Sequence, residues 1–339
     1  MTSLPALPEI TPLRPGLIRI LAGNPGKFTL QGTNTYLLGT GRQRLLIDTG
    51  EGKPSWIAAV KSALTSSSNQ PNGEEGTATL KAVILTHWHH DHIGGVADLR
   101  KEFGPNLEIY KFPLGFGGYE SPSFEAERAQ EAQSTLLAQG IRPLQNNQTF
   151  TVAGATLTVH HTPGHTADHV VLVWHEENAI FTGDNVLGHG TAVFEDLATY
   201  LSSLEIMKEL YSDGERSGRA YPGHGPVVDD GMAKIEEYIR HRKMREEQVL
   251  QTLRSSPGGP DGSGAGSNNK GGQHQAQPPA WTVMELVRSI YRDVPESLHP
   301  AAAGGVVQIL HKLRREGRVV VVSESGDGER WSLAARSAL

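Results

Sequence analysis

Five histidines and two aspartates, side chains that hold divalent metals, follow one another as His87, His89, Asp91, His92, His165, Asp184 and His224. The first four lie within Thr86-His87-Trp88-His89-His90-Asp91-His92, just before Ile93-Gly94-Gly95. Seven donors suffice for two ions that share one carboxylate. Two ions held close together activate water for attack on a carbonyl or phosphoryl centre. The chain has no cysteine, so disulfides and thiolate zinc sites are excluded and any metal falls to His, Asp and Glu. That donor chemistry suits zinc best, with manganese as the main competitor and iron also compatible.

Each donor group follows a short apolar run. Val83-Ile84-Leu85 precedes His87, and Leu157-Thr158-Val159 precedes Thr162-Pro163-Gly164-His165. Ala179-Ile180-Phe181 precedes Gly183-Asp184, and Arg219-Ala220-Tyr221 precedes Pro222-Gly223-His224. Strand ends along one sheet edge can converge on a point, with Gly and Pro supplying the sharp turns. Ligands placed there are held rigidly, as a catalytic metal requires. Scattered core or surface histidines would not recur beside strand-ending glycines in this way.

The elements that must position these donors are legible in outline. Residues 35–39 and 44–48 read as a hairpin around Gly41-Arg42-Gln43, and 80–85 as a strand running into the cluster. Residues 56–64, 124–139, 195–211 and 229–253 have helical spacing, the second closed by Gly140. Residues 149–159 alternate like a strand pair, and 170–174 and 179–181 are buried-type strands. Strands alternating with helices predict an α/β layered fold. Residues 66–79 read as a flexible Ser/Asn/Gly/Glu-rich insertion. Residues 255–279 read as a disordered Gly/Pro/Ser/Gln linker with almost nothing to bury. Beyond it, helices over 282–291 and 301–315 and strands over 318–322 and 330–333, around Ser325-Gly326-Asp327-Gly328, suggest a small winged-helix-like module. The expected division is a hydrolase domain over 1–254, the linker, and the module over 280–339.

Composition sets outer bounds. At 339 residues, with 37% apolar and 20% charged side chains, the chain can hold one large and one small domain. No apolar run approaches the ~18 residues of a membrane span. The N-terminus lacks a secretory or transit pattern, so a cytoplasmic protein is expected. A net charge of −6 argues against a general polyanion binder, though not against a local basic patch.

The run HxHxDH-Ile-Gly-Gly, followed in order by Pro-Gly-His-Thr, Thr-Gly-Asp and Pro-Gly-His-Gly, resembles the metallo-β-lactamase superfamily over residues ~17 to ~250. The resemblance implies an αββα sandwich with the site at one sheet edge. It implies that His87, His89 and His165 bind a first metal, that Asp91, His92 and His224 bind a second, and that Asp184 bridges them. Asp91 is also read as general base or proton shuttle, with a role as ligand alone as the alternative.

Residues outside the cluster carry weaker readings. Asp48, in Asp48-Thr49-Gly50, is expected to orient a metal-bound histidine. His169 is read either as a proton donor or substrate contact, or as a structural histidine. His90 is read as an interior member of the motif. His189, within Gly188-His189-Gly190-Thr191, is a candidate pocket residue, the Asn24 to Asn34 stretch a candidate rim, and Phe112, Phe116 and Tyr119 a candidate apolar wall. The basic stretch His311-Lys312-Leu313-Arg314-Arg315-Glu316-Gly317-Arg318 reads as a solvated helix end rather than a phosphate contact.

Fold alone does not choose a substrate. The run from Ile20 through Asn24-Pro25-Gly26-Lys27-Phe28-Thr29-Leu30-Gln31-Gly32-Thr33-Asn34-Thr35-Tyr36 narrows it. Together with Gly190-Thr191-Ala192-Val193-Phe194-Glu195-Asp196-Leu197 and the tail, it resembles the lactamase-β-2-like group. That group includes animal mitochondrial endoribonucleases and fungal lactamase-like hydrolases of aromatic polyketide clusters. The fungal type resembles the atrochrysone carboxyl acyl-carrier-protein thioesterases. That resemblance implies hydrolysis of a polyketide thioester, with two Zn2+ (or Mn2+) and the acyl carrier protein of a non-reducing synthase as partner. Carrier proteins are acidic, as this chain is, and Arg240, Arg242, Lys243 and Arg245 read either as a local basic patch that offsets this or as a solvated helix face. Cleavage of single-stranded RNA is the alternative and needs a basic groove beside the site. Glutathione thioester hydrolysis ranks lower because the tail offers no obvious paired basic residues. A nucleic-acid adaptor without enzymatic activity ranks lowest, since the metal set is complete.

Overall fold

The computed structural model describes residues 4–65, 77–114, 124–211, 218–256, 279–325 and 328–335. These form two compact units, Met1–Glu195 with Thr199–Tyr238, and Asp196–Ala198 with Ile239–Leu339.

In the first unit, seven strands make one mixed sheet. They are β1 (Ile10–Arg14), β2 (Leu17–Leu21), β3 (Asn34–Leu38), β4 (Gln43–Ile47), β5 (Thr79–Leu85), β6 (Glu108–Lys111) and β7 (Arg142–Pro143), and they lie in sequence order. A second sheet has the order β12-β11-β10-β9-β8, from β8 (Thr149–Val152), β9 (Ala155–His161), β10 (Val170–Trp174), β11 (Ala179–Gly183) and β12 (Ala220–Pro222). The hairpin expected over 35–48 is the antiparallel pair β3–β4.

The period-2 pattern explains why the sheets stack. Leu17, Tyr36, Leu38, Leu45, Ile47, Ala82 and Ile84 of the first sheet join Leu157, Val159, Val170, Leu172, Trp174 and Phe181 of the second in one buried cluster. The alternate residues Ile18, Ile20, Leu37, Leu46, Val83 and Leu85 face a second cluster with Trp56, Val60, Leu99 and Leu136. Those side chains come from α1 (Pro54–Thr65), α3 (Val96–Phe103) and α4 (Phe124–Ala138); α2 is the single turn His90–Ile93. Helix α4 ends as its glycine predicts. Gly140 has φ +71°, and Ile141 and Gly140 donate to Leu136 and Leu137 carbonyls, the two bonds of a Schellman stop. Beside the second sheet, α5 (Leu197–Glu209) contributes the Ser203 hydroxyl, which donates to the Pro163 carbonyl at 2.6 Å. This is the αββα sandwich, and it starts helix α5 two residues later than the spacing suggested.

Strands β1 and β2 escaped the sequence reading. β1 is an edge strand with Pro12 inside it, a position where proline is tolerated. All five residues of β2 are buried, so no alternation shows. Of the insertion read over 66–79, residues 66–76 lie outside the described residues, whereas Ala78 is buried and Thr79 already starts β5. Residues 257–278 of the linker read over 255–279, Phe116, Tyr119, and Gly326 and Asp327 also lie outside them.

The second unit begins within α6 (Gly231–Arg254). It contains α7 (Val283–Ile290), α8 (His299–Arg315) and a three-stranded sheet ordered β13 (Trp281–Thr282), β15 (Gly328–Leu333), β14 (Val319–Ser325). Thr282 and Glu285 form a capping box at the start of α7, satisfying two orphan backbone donors. Trp331 pairs with Trp281 across the sheet and is buried. Helices followed by this hairpin make the winged-helix arrangement.

Candidate metal centre

All seven predicted donors come together at one end of the sandwich. His87 follows β5, His165 follows β9, Asp184 follows β11 and His224 follows β12; the parallel pair β11–β12 places the last two side by side. The donor atoms of His87, His89, His165 and Asp184 lie within 4.8 Å of one another, and so do those of Asp91, His92 and His224. Asp184 reaches both groups, with Oδ1 3.5 Å from His92 Nε2 and Oδ2 3.1 Å from His224 Nε2 and 3.8 Å from His165 Nε2.

Three of the five imidazoles, His87, His92 and His165, are held from behind. Thr86 donates its backbone N–H to Asp48 Oδ1 and its hydroxyl to Asp48 Oδ2. The Thr86 oxygen therefore accepts from His87 Nδ1 at 3.0 Å, which leaves the His87 Nε2 lone pair facing inward. His92 Nδ1 donates to Asp48 Oδ2 at 2.8 Å, and His165 Nδ1 to the Val193 carbonyl at 2.8 Å. Their Nε2 atoms also face inward. Such partners fix the tautomer of a metal-binding histidine. Asp48 holds an unusual φ of +60°, and the backbone N–H of Thr86 and two side chains converge on its carboxylate.

The inward atoms fit a metal. His87 Nε2 and His165 Nε2 lie 3.0 and 3.1 Å from His89 Nδ1. His92 Nε2, His224 Nε2 and Asp91 Oδ2 are spaced 3.3–3.4 Å apart. Bonds of about 2.0–2.1 Å at the tetrahedral angle set neighbouring donors roughly 3.3 Å apart. Asp184 Oδ1 is buried without a hydrogen-bond partner among the described residues, a costly state that a cation relieves.

The two groups differ in charge. Burial pushes the His87, His89 and His165 imidazoles down, His89 to about 3, and neighbouring histidines push the same way. Burial also acts downward on His92 and His224. For His92 it is outweighed by Asp91, Asp184 and Asp48, and for His224 by Asp184 and Asp91, so both rise, His224 to about 9. Burial alone would raise the Asp91 and Asp184 carboxyls, but His92 and His224 hold both below the usual carboxylate range.

Several positioning residues were not visible as such in the sequence. Thr33 donates its hydroxyl to Asp91 Oδ2 at 2.9 Å, and Asn24 Nδ2 donates to that hydroxyl at 3.0 Å. Asn34 Nδ2 donates to the Pro222 and Gly225 carbonyls, and the Tyr36 hydroxyl to Pro222, stapling the start of β3 to the His224 loop. Their one signal was the Gly32-Thr33-Asn34-Thr35-Tyr36 motif. Buried Lys111 pairs with buried Asp168, and Thr166 donates to Asp168 at 2.8 Å, tying down the loop that carries His165. Gly223 is required for space. A Cβ there would lie 2.3 Å from Asp184 Oδ1 and 2.9 Å from His92 Cε1.

The weaker readings divide. Asp48 does orient a cluster histidine. His169 is fully buried and accepts the Asp184 backbone N–H at 3.1 Å through Nε2, so it positions Asp184. His90 and His189 are exposed. Phe112 stacks on His161 at 4.0 Å and packs against the inter-sheet core. In the basic stretch Lys312 pairs with Glu246 and Glu316, Arg315 with Asp196, and Arg318 with Glu246 and Glu316. The patch expected on α6 is not four exposed cations, because Arg242 is buried and Arg245 lies 4.5 Å from the Tyr291 ring centre.

The metallo-beta-lactamase superfamily profile matches residues 28–231, and the beta-lactamase associated winged helix domain profile matches 282–331. The chain belongs to the metallo-β-lactamase superfamily and is a hydrolase of that family with a candidate dinuclear metal site. It is similar along its whole length to a beta-lactamase-like protein 2 homolog of Drosophila melanogaster, at 40% identity over 98% of this chain and 99% of that protein. It is equally similar to an atrochrysone carboxyl ACP thioesterase of Aspergillus chevalieri, at 40% identity over 97% of this chain and 90% of that protein. A beta-lactamase domain protein from Burkholderia ambifaria shares the fold, with a TM-score of 0.69 and 17% identity over 98% of this chain and 96% of that one. Among the described residues no helix is long and apolar enough to cross a membrane.

Proposed function

We propose that this protein hydrolyses the thioester joining an aromatic polyketide to an acyl carrier protein, releasing the free acid in secondary metabolite biosynthesis. The observation that carries this reading is the 40% identity, over 97% of the chain, to a protein named for that activity. The site supports it, because a thioester carbonyl is a good electrophile and the donors suit ions that activate water.

His87, His89 and His165 would hold one ion, Asp91, His92 and His224 the other, with Asp184 between them and zinc favoured over manganese. When bound, such ions lower the pKa of water and stabilise negative charge on a reacting oxygen. The protein supplies the rest. Asp48, Thr86 and the Val193 carbonyl keep protons on the outer imidazole nitrogens. His169 holds the backbone of Asp184. Asp91 Oδ2 accepts from Thr33 and faces His92 and His224. The Asp91 carboxylate would take the proton during attack and deliver it to the leaving thiolate.

The test offers metal-loaded protein an acyl-carrier-protein aromatic thioester and a single-stranded RNA side by side. Acid release without RNA cutting is the expected result. RNA cutting with no thioester turnover would overturn the reading in favour of an endoribonuclease. Asp91→Ala should abolish turnover, and an active variant would remove Asp91 from its role.

A further inference from the structure

The two most exposed large hydrophobic side chains among the described residues are Phe28, 67% exposed, and Val193, 63% exposed. Isolated apolar residues on a surface are ordinary. These two are not isolated from the site, because each belongs to a loop bonded to donor residues of the cluster.

Phe28 lies near the tip of the loop between Asn24 and Thr33. That loop is closed at its base, where Thr33 N–H donates to Asn24 Oδ1 at 2.9 Å and Asn24 Nδ2 donates back to Thr33 Oγ1. It is braced inside, where Thr29 donates its hydroxyl to the Asn24 carbonyl at 2.6 Å and Gly26 N–H donates to the Leu30 carbonyl. Its base donates to Asp91. Val193 lies on the loop whose carbonyl receives the His165 Nδ1 proton. That loop is held by Gly188 N–H to the His224 carbonyl, Glu195 N–H to the Gly164 carbonyl and the Tyr238 hydroxyl to the Gly190 carbonyl. Both loops pack at Gly225, next to His224. A Cβ there would meet Leu30 Cδ1 at 3.1 Å and the Gly188 backbone at 3.2 Å.

We propose that Phe28 and Val193 are specificity-determining residues, apolar side chains on two adjoining loops bonded to the metal centre that receive the flat apolar acyl part of the substrate. This rests on the thioesterase reading and deepens it, since it names which part of the substrate the rim recognises. A braced loop keeps an exposed ring in place at little ordering cost on binding. One face of Phe28 carries Lys27 Nζ 5.4 Å from the ring centre, and the ring still remains two-thirds open.

Binding is the readout, so the test does not depend on turnover. Metal-loaded wild type and the Phe28→Ala/Val193→Ala double variant are titrated with 3-hydroxy-2-naphthoate by fluorescence, and with acetate by calorimetry. The double variant is expected to lose about tenfold in naphthoate affinity relative to acetate, the order expected for removing one ring and one isopropyl group from contact. Phe28→Tyr should restore most of the loss due to Phe28. Equal naphthoate binding by wild type and double variant overturns the proposal, as does an equal fractional loss for both ligands. Absence of thioester turnover by the wild type sinks the thioesterase reading instead and leaves the binding comparison standing.

Discussion

The two halves of the metal centre solve the same problem with opposite electrostatics. His87, His89 and His165 are imidazoles kept neutral by burial, and His87 and His165 are backed by uncharged partners, Thr86 and the Val193 carbonyl. Asp91, His92 and His224, together with the shared Asp184, form a charge-balanced group in which the two carboxylates hold both imidazoles up when no metal is bound, and His92 is backed by Asp48. A neutral group accepts a cation at once. A balanced group must release protons first, and its carboxylates then offset the incoming charge. One buried pocket can thus accept two dications without accumulating their full charge.

Four experiments break or sharpen this contrast. The largest effect belongs to the shared residue. Asp184→Asn should cost about a thousandfold or more in turnover and leave less than one metal per chain by elemental analysis. Full metal content would show that the halves are independent. Gly223→Ala should push Asp184 and His92 aside and cost about a hundredfold, because an ångström of misplacement has that effect. Its metal content should fall in both halves, because Asp184 serves both, and further in the half that also contains His92. Asp48→Asn should weaken that same half by about 10–100-fold in chelator competition, as loss of a partner behind a ligand does. Equal weakening of both halves would refute the contrast.

The smallest effect is on the pH dependence of the metal-free protein. His224 is held up at about 9 against an ordinary 6.5. Its contribution to stability is complete below 6.5 and is lost as pH rises through 9. His89 is pushed down to about 3, so its contribution is complete above 6.5 and is lost as pH falls toward 3. Thermal melting of chelator-treated protein from about pH 4 to about pH 10 should therefore peak near the ordinary histidine range. His224→Gln should flatten the alkaline limb alone, and an unchanged alkaline limb would contradict the charge assignment.

The site was more legible in the sequence than its supports. Ligand types and their order are local facts, because each donor group follows a short apolar strand, three of the four groups beside glycine or proline. The supports are not local. Asp48 reaches Thr86 and His92 across 38 and 44 residues, and Lys111 reaches Asp168 across 57. His169 read equally well as a proton donor until its ring was found beneath the Asp184 backbone. The four cations on α6 looked like a patch because helical spacing does not tell which of them is buried. Edge strand β1 and fully buried β2 carry no alternation to read.

What the sequence by itself determined was the chemistry: seven imidazole and carboxylate donors without a thiolate, in groups that follow strand ends, and a helix–hairpin module beyond the Gly-rich stretch. Residue type decides what an atom can bind, and period-2 burial decides which strands stack, so both survive in one dimension. Only the tertiary structure decided which nitrogen of His87, His92 and His165 faces inward, which half of the site carries protons, and which residues brace the ligands. Those depend on partners brought together by sheet packing, over distances that no local pattern encodes.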